Sequence, residues 1–215
     1  MGMRDSLGTK RGSVRRRFVG STFYCSTSLS GPISCTVPAG VDSCDIIAVG
    51  AGGCCTGNVP GSGGAMAIRR NKVVSPGQVI VGSVGAGPIN DTTSGTRAPS
   101  TTIDGMVAEG GVNGSVNAPG GNATGGDVNI QGGACGGGLW APGGACPSPA
   151  WTAGKSSYYS DSGGPYIHPN FKGRPNTSTG IPELPGAGGG TDMSATRAAG
   201  ANGGIFFFWY VTEVL

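Results

Sequence analysis

Apolar residues in the first half of the chain come in short clusters separated by turn sequences. Phe18 to Tyr24, Ile33 to Val37 and Cys44 to Val49 are dense in β-branched and aromatic residues, with Ser-Gly-Pro and Pro-Ala-Gly between them, and each predicts a short strand. Ala65 to Val74 and Val79 to Val84 predict a strand pair joined by Ser75-Pro76-Gly77-Gln78, with Pro at the second turn position. Ser100 to Ile103 and Met106 to Ala108 predict another pair, turning at Asp104-Gly105. From Gly110 the texture changes to recurring glycine runs at Gly110-Gly111, Gly120-Gly121, Gly125-Gly126, Gly132-Gly133, Gly136 to Gly138, Gly143-Gly144, Gly186 to Gly190 and Gly203-Gly204. The longest apolar run, Ile205 to Val211, closes the pattern. An exposed edge of that composition would aggregate, so this run is expected as a central or covered strand against Ile46, Ile47, Val79 and Val81.

Composition turns this pattern into a fold class. The chain holds 45 Gly and 15 Pro in 215 residues, yet only 12% of residues are charged and the formal sum is +3, so solvated charge does not account for its polarity. Glycine costs roughly 1 kcal/mol against Ala at each interior helix position, which leaves very little helix. No Gly-X-Y period exists, which removes collagen. Glycine runs between turn residues fit short polyproline-II-like strands stacked side by side. That conformation makes no internal hydrogen bonds, so each strand must find donors and acceptors on its neighbours, and the missing Cβ atoms allow the approach. The expected fold is all-β: a small antiparallel β module plus stacked polyglycine-II strands.

Charge divides the chain further. Arg4, Lys10, Arg11, Arg15, Arg16 and Arg17 face a single acid, Asp5, within the first seventeen residues, and the remaining 198 residues sum to −2. Residues 1–35 read as a basic anchoring arm and first strand that docks on an acidic partner surface. Residues 36–215 read as the glycine-rich body, interrupted by a low-glycine insertion at 139–185. No apolar stretch of signal-peptide type follows the arginines, and the seven-residue run at 205–211 is far below the ~20 residues of a membrane helix; membrane insertion is not expected. Of seven cysteines, loop spacing offers two candidate bridges, Cys25 with Cys35 and Cys135 with Cys146. The alternative for each is a small buried hydrophobe.

Candidate chemistry is sparse. His168 is the single histidine, no CxxC occurs, and neither a metal site nor a cofactor is expected. Gly154-Lys155-Ser156 resembles the end of a phosphate-binding loop, but Pro149 stands where its first glycine is required. Enzyme activity is therefore not expected. Binding potential concentrates in Trp140, Trp151, Tyr158, Tyr159, Tyr166, His168 and Phe171, set among Gly, Ser, Pro and Asn. Aromatic faces beside small polar groups suit saccharide or protein recognition; the competing reading is that these rings cap the body or pack in a subunit interface.

The order of short motifs resembles the glycine-rich domain of tailed-bacteriophage tail fibre and tail tip proteins. The matching pieces are Thr36-Val37-Pro38-Ala39-Gly40-Val41, Asp45 to Gly53, Gly63-Gly64-Ala65, Val73 to Gln78, Val84-Gly85-Ala86-Gly87, Thr101 to Gly105, the glycine runs, and Gly203 to Phe207. The resemblance implies a non-enzymatic virion protein, located on the tail, whose basic arm binds other virion proteins and whose outer loops meet a host surface saccharide or outer-membrane protein. A thin core implies a homotrimer or fixed multimer; nucleic acid is not an expected partner. A second reading is a purely architectural head fibre, decoration or tail accessory protein without receptor binding. A third, an ice-binding or extracellular glycine-rich protein, is opposed by the missing triplet repeat and by the arginine arm.

Overall fold

The computed structural model describes residues 14–25, 31–56, 59–87, 93–135 and 200–214. Within them the chain forms ten strands and no helix: β1 (Val14–Cys25), β2 (Gly31–Thr36), β3 (Ser43–Val49), β4 (Met66–Val73), β5 (Val79–Val84), β6 (Thr101–Ile103), β7 (Met106–Ala108), β8 (Ala123–Thr124), β9 (Val128–Ile130) and β10 (Gly204–Val214). They make two antiparallel five-stranded sheets, ordered β1-β10-β3-β4-β9 and β2-β5-β6-β7-β8. The core lies between them, with Ile46, Ala48, Ile205, Phe207 and Trp209 from the first sheet against Cys35, Ile80, Val84, Ile103 and Met106 from the second. Ile47, Val49, Met66 and Ile68 form a further apolar cluster with Phe206 and Phe208 on the opposite face of the first sheet. That explains why Cys44 to Val49 shows no polar alternation: β3 is buried on both faces.

β10 takes the central place expected of the 205–211 run, with Phe206 opposite Ile47 and Phe207 opposite Ile46. Its other neighbour is not β5. Val79 and Val81 belong to the second sheet, paired with β2, and both are exposed. The flank of β10 is covered instead by β1, whose residues from Val14 to Cys25 pair along its whole length. Inside the core, Phe207 and Trp209 stack with ring centroids 5.1 Å apart, and Trp209 Nε1 donates to Thr22 Oγ1 at 3.0 Å. The indole N–H thus has the partner that a buried Trp requires.

The two ends of the sandwich are built differently. At one end the strands are joined by tight turns. Gly40 and Gly77 adopt positive φ at 78° in Pro-Ala-Gly-Val and Ser-Pro-Gly-Gln turns, and Asp104 and Gly105, at 51° and 73°, make the two-residue primed turn whose twist suits a hairpin. At the other end eight strands run on into extended segments, all of them glycine-containing except 97–100: β3 into 50–53, β5 into 85–87, β7 into 109–113 and β9 into 131–135, while 61–65, 97–100, 118–122 and 200–203 lead into β4, β6, β8 and β10.

The amides of these segments rotate through three directions. Gly50 N donates to Ala65 O at 2.9 Å, Ala51 N to Pro99 O at 3.4 Å, Gly52 N to Ala201 O at 2.8 Å, and Gly53 N returns to the first neighbour at Ser62 O, 2.9 Å. The next segment repeats the rule: Ser62 N and Ala65 N both reach segment 109–112, at Val112 O and Glu109 O, while Gly63 N between them reaches Gly133 O. A return every third residue is the period of the polyproline-II helix, and it binds each segment to neighbours on several sides rather than two. The expected stacked polyglycine-II strands are present. A Cβ added at Gly111 would overlap the carbonyl of Ser62, and one at Gly64 the carbonyl of Gly50, so glycine is required at these positions by close approach.

The described thiols are core atoms. Cys35 and Cys135 are free and buried, in place of the two bridges expected from loop spacing. Cys35 faces the hydroxyl of Tyr24, whose pKa is pushed up to about 12 first by that hydrogen bond and then by burial. Cys135 Sγ donates to the Ser115 carbonyl at 2.9 Å. The side chain of Cys25 and all of Cys146 lie outside the described residues. The thiol of Cys44, also free, is pushed up from its ordinary 9.0 to about 12, chiefly by burial.

Two outcomes follow. Gly111→Ala should cost ~3 kcal/mol in denaturant unfolding, because the surrounding atoms are backbone and cannot yield. Gly20→Ala, with nothing within 4 Å of the new carbon, should stay within about 0.5 kcal/mol. The second outcome concerns alkaline pH. An unfolded Cys44 ionises near 9 while the folded one holds its proton to about 12, so this stabilisation is complete below pH 9. Above it, stability should fall with a slope approaching ~1.4 kcal/mol per pH unit for this group. Denaturation midpoints from pH 8 to 11 measure it, and Cys44→Ala should flatten that part of the profile.

Candidate interaction surface

Every strand of the sandwich except β1 and β2 continues into the glycine lattice, and at its far end the described residues after 53, before 97 and after 113 come together. One side chain pins three of the segments there. Asn113, 1% exposed, accepts from Cys54 N at Oδ1 (3.0 Å) and donates from Nδ2 to Thr96 Oγ1 (2.9 Å), while its own amide donates to Thr96 O at 2.8 Å. Ser94 Oγ donates to the Gly114 carbonyl. On the described surface around this pin, Thr93, Ser94, Thr96, Val116 and Asn117 are exposed, with Arg97 beside Thr96. It can offer hydroxyls and amides to a ligand, and among the described residues no three His, Cys, Asp or Glu side chains come together to hold a metal. Trp140, Trp151, Tyr158, Tyr159, Tyr166, His168 and Phe171 all lie outside the described residues; in sequence they fall in the connection between β9 and β10.

The basic residues divide into two groups. Arg4, Lys10 and Arg11 lie outside the described residues. Arg15, Arg16 and Arg17 are in β1 and belong to the body of the fold. Arg16 is engaged within the chain: its guanidinium sits 3.9 Å from the centroid of the Tyr210 ring, pairs with Asp45 at 3.2 Å, and donates to Ser43 Oγ and Asn71 Oδ1. Burial and then the Asp45 carboxylate raise the Tyr210 hydroxyl above its ordinary range, against the pull of Arg16. Arg17 pairs with Glu213 on β10. Only Arg15 of the three stands exposed without a described ion pair.

A feature the sequence reading passed over is the aromatic face beside these arginines. Phe23 stacks on Phe206 at 4.3 Å, and Phe18 meets Phe208 at 6.4 Å and Tyr210 at 5.8 Å. Phe18 and Phe23 are five residues apart, so strict alternation would put them on opposite faces. The register shift between Phe18 and Gly20 inserts Val19 as a bulge and brings both rings to the outer face of the sheet. The phase change hides the pattern, although Gly20 beside a β-branched residue is a bulge signal. Phe18 is 52% exposed, Val19 42% and Phe23 40%.

Comparison with curated proteins finds none that matches the chain. The glycine-rich domain family, in contrast, matches residues 27–210, a span that opens four residues before β2, takes in every described lattice segment, and stops within β10. The chain belongs to the glycine-rich domain family.

Proposed function

We propose that this chain is a non-enzymatic structural protein of a bacteriophage virion, a tail fibre or tail tip component that presents recognition loops on a glycine lattice. The observation that carries the reading is the side-chain-poor lattice built by the described segments, which are joined in sequence by connections that do carry side chains. Glycine segments cannot discriminate ligands by side chains, so specificity falls to those connections, and Trp140, Trp151, Tyr158, Tyr159, Tyr166, His168 and Phe171 are the side chains that serve it. Host contact is with a surface saccharide or outer-membrane protein. Anchoring on other virion proteins falls to Arg4, Lys10, Arg11 and Arg15, since Arg16 and Arg17 are engaged within the fold. In the virion the protein works as a fixed multimer. A second reading, an architectural virion protein without receptor contact, is supported by the exposed aromatic edge of β1, a surface suited to a neighbouring subunit.

The Tyr158→Ala/Tyr159→Ala chain separates the two. Under the receptor reading its melting temperature stays within about 2 °C of the parent, as for surface changes, while adsorption to host cells falls at least tenfold, as loss of aromatic anchors does. A destabilised protein, or a stable one that adsorbs normally, ends that reading. Anchoring is tested by Arg4→Ser/Lys10→Ser/Arg11→Ser, which should leave particles without the protein while its circular dichroism is unchanged. Normal incorporation removes the basic arm from the mechanism.

A further inference from the structure

Among the described residues β1 is the outermost strand of its sheet, twelve residues long, and one of its two hydrogen-bonding sides faces another strand of that sheet. It also lies outside the span that matches the family, residues 27–210. The strand therefore covers the flank of β10 and presents a new edge in its place. That edge gathers exposed apolar residues: Val14, Phe18, Val19 and Phe23 are on it, and Val214 is beside it. A long edge of this composition is a template for a further strand. We infer that the strand is supplied by a second copy of this chain, whose β1 pairs antiparallel with the first about a two-fold axis at Ser21.

Self-complementarity carries the choice of occupant. Parallel pairing would set the Arg15–Arg17 stretch of one copy against the same stretch of the other, and like charges directly opposite are destabilising. Antiparallel pairing sets it against the uncharged end of the partner strand. Ser21 faces outward opposite Phe208, while Gly20 and Thr22 face the core side opposite Trp209 and Phe207. With Ser21 against Ser21 on the axis, Gly20 meets the partner's Thr22. Beyond them the Val19 bulge of each strand shifts the count by one, so Phe23 meets the partner's Phe18 on the outer face and Tyr24 meets the partner's Arg17. Every pair then joins residues of the same face, which holds because both strands carry the same bulge. The four phenylalanine rings continue the aromatic row already formed by Phe23 on Phe206 and Phe18 on Phe208, and an isologous contact of this kind closes as a dimer in which neither β1 edge stays open. The two first sheets become one continuous sheet.

The inference goes beyond the virion reading and stands apart from it, because it is read on the purified full chain with no phage or host present. In sedimentation the parent should be a dimer. Phe18→Lys/Phe23→Lys and Phe18→Glu/Phe23→Glu should each be monomeric with unchanged circular dichroism, since each sets like charges opposite one another. A one-to-one mixture of the two should recover the dimer, each Lys now meeting a Glu. Ser21→Cys should give a covalent dimer with a short bis-maleimide, because directly opposed Cβ atoms lie ~5 Å apart, in at least fivefold higher yield than Val73→Cys, an exposed position on β4. A parent that is monomeric at tens of micromolar, an oligomer indifferent to the charged pairs, or a Ser21→Cys yield equal to the Val73→Cys control overturns the proposal. If the charged chains fail to fold, the Ser21→Cys yield decides alone.

Discussion

An amide in a polyglycine-II segment has no acceptor within its own segment, and that single constraint organises the molecule. An isolated segment would lose roughly 1 to 2 kcal/mol per residue in backbone order, the most for glycine, with no internal bonds in return. Only a bundle delivered already aligned gains enough. The sandwich delivers it: strands that lie side by side in hydrogen-bonding register hand over eight lattice segments, seven of them glycine-containing, at a common spacing. Lattice and sandwich are accordingly one cooperative body. The amides of Gly50 to Gly53, directly after β3, are where a sheet strand becomes a lattice strand bonded in three directions.

The same constraint sets which parts of the fold were legible in the sequence. Clusters such as Cys44 to Val49 and Val79 to Val84 announce strands because apolar β-branched residues have few other uses in a glycine-rich chain, and Asp104-Gly105 and Pro76-Gly77 fix their turns through backbone angles that few residues adopt. The glycine runs announce the lattice because at positions such as Gly64 and Gly111 nothing larger fits. Pairing across long sequence distance was less legible. That Ile205 to Val211 would be covered followed from its composition, but not that its cover would be β1, nearly two hundred residues away in sequence, because the arginines read as an arm for an outside partner until Asp45, Tyr210 and Glu213 are placed beside them. Loop spacing suggested disulfides where the sandwich had room for thiols as small core residues. The aromatic candidates of the interaction surface rest on composition alone, since they lie outside the described residues.

Ion pairs in the body serve register more than stability. Lys72 and Arg69 on β4 reach Asp104 in the turn between β6 and β7, at 2.7 and 3.9 Å, and so tie one sheet to the other at the turn end. Arg97 meets Glu109 at 3.6 Å on the lattice side. Partly exposed pairs of this kind are worth little each. Their use is directional: they oppose a slip of one sheet over the other.

The position of β10 has a consequence for biosynthesis. It lies between β1 and β3, yet it is the last of the ten strands to leave the ribosome, so β1 spends most of translation without its partner and β3 with one flank bare. The nascent protein can close the second sheet early, through β5, β6 and β7, which are near in sequence. The first sheet, and every lattice amide that bonds to residues 200–203, must wait for the final stretch. Folding is thus committed late and through distant contacts, a regime that is slow and exposes strand edges. During that interval a nascent chain with Phe18 and Phe23 unsequestered depends on its arginines to keep it from its neighbours.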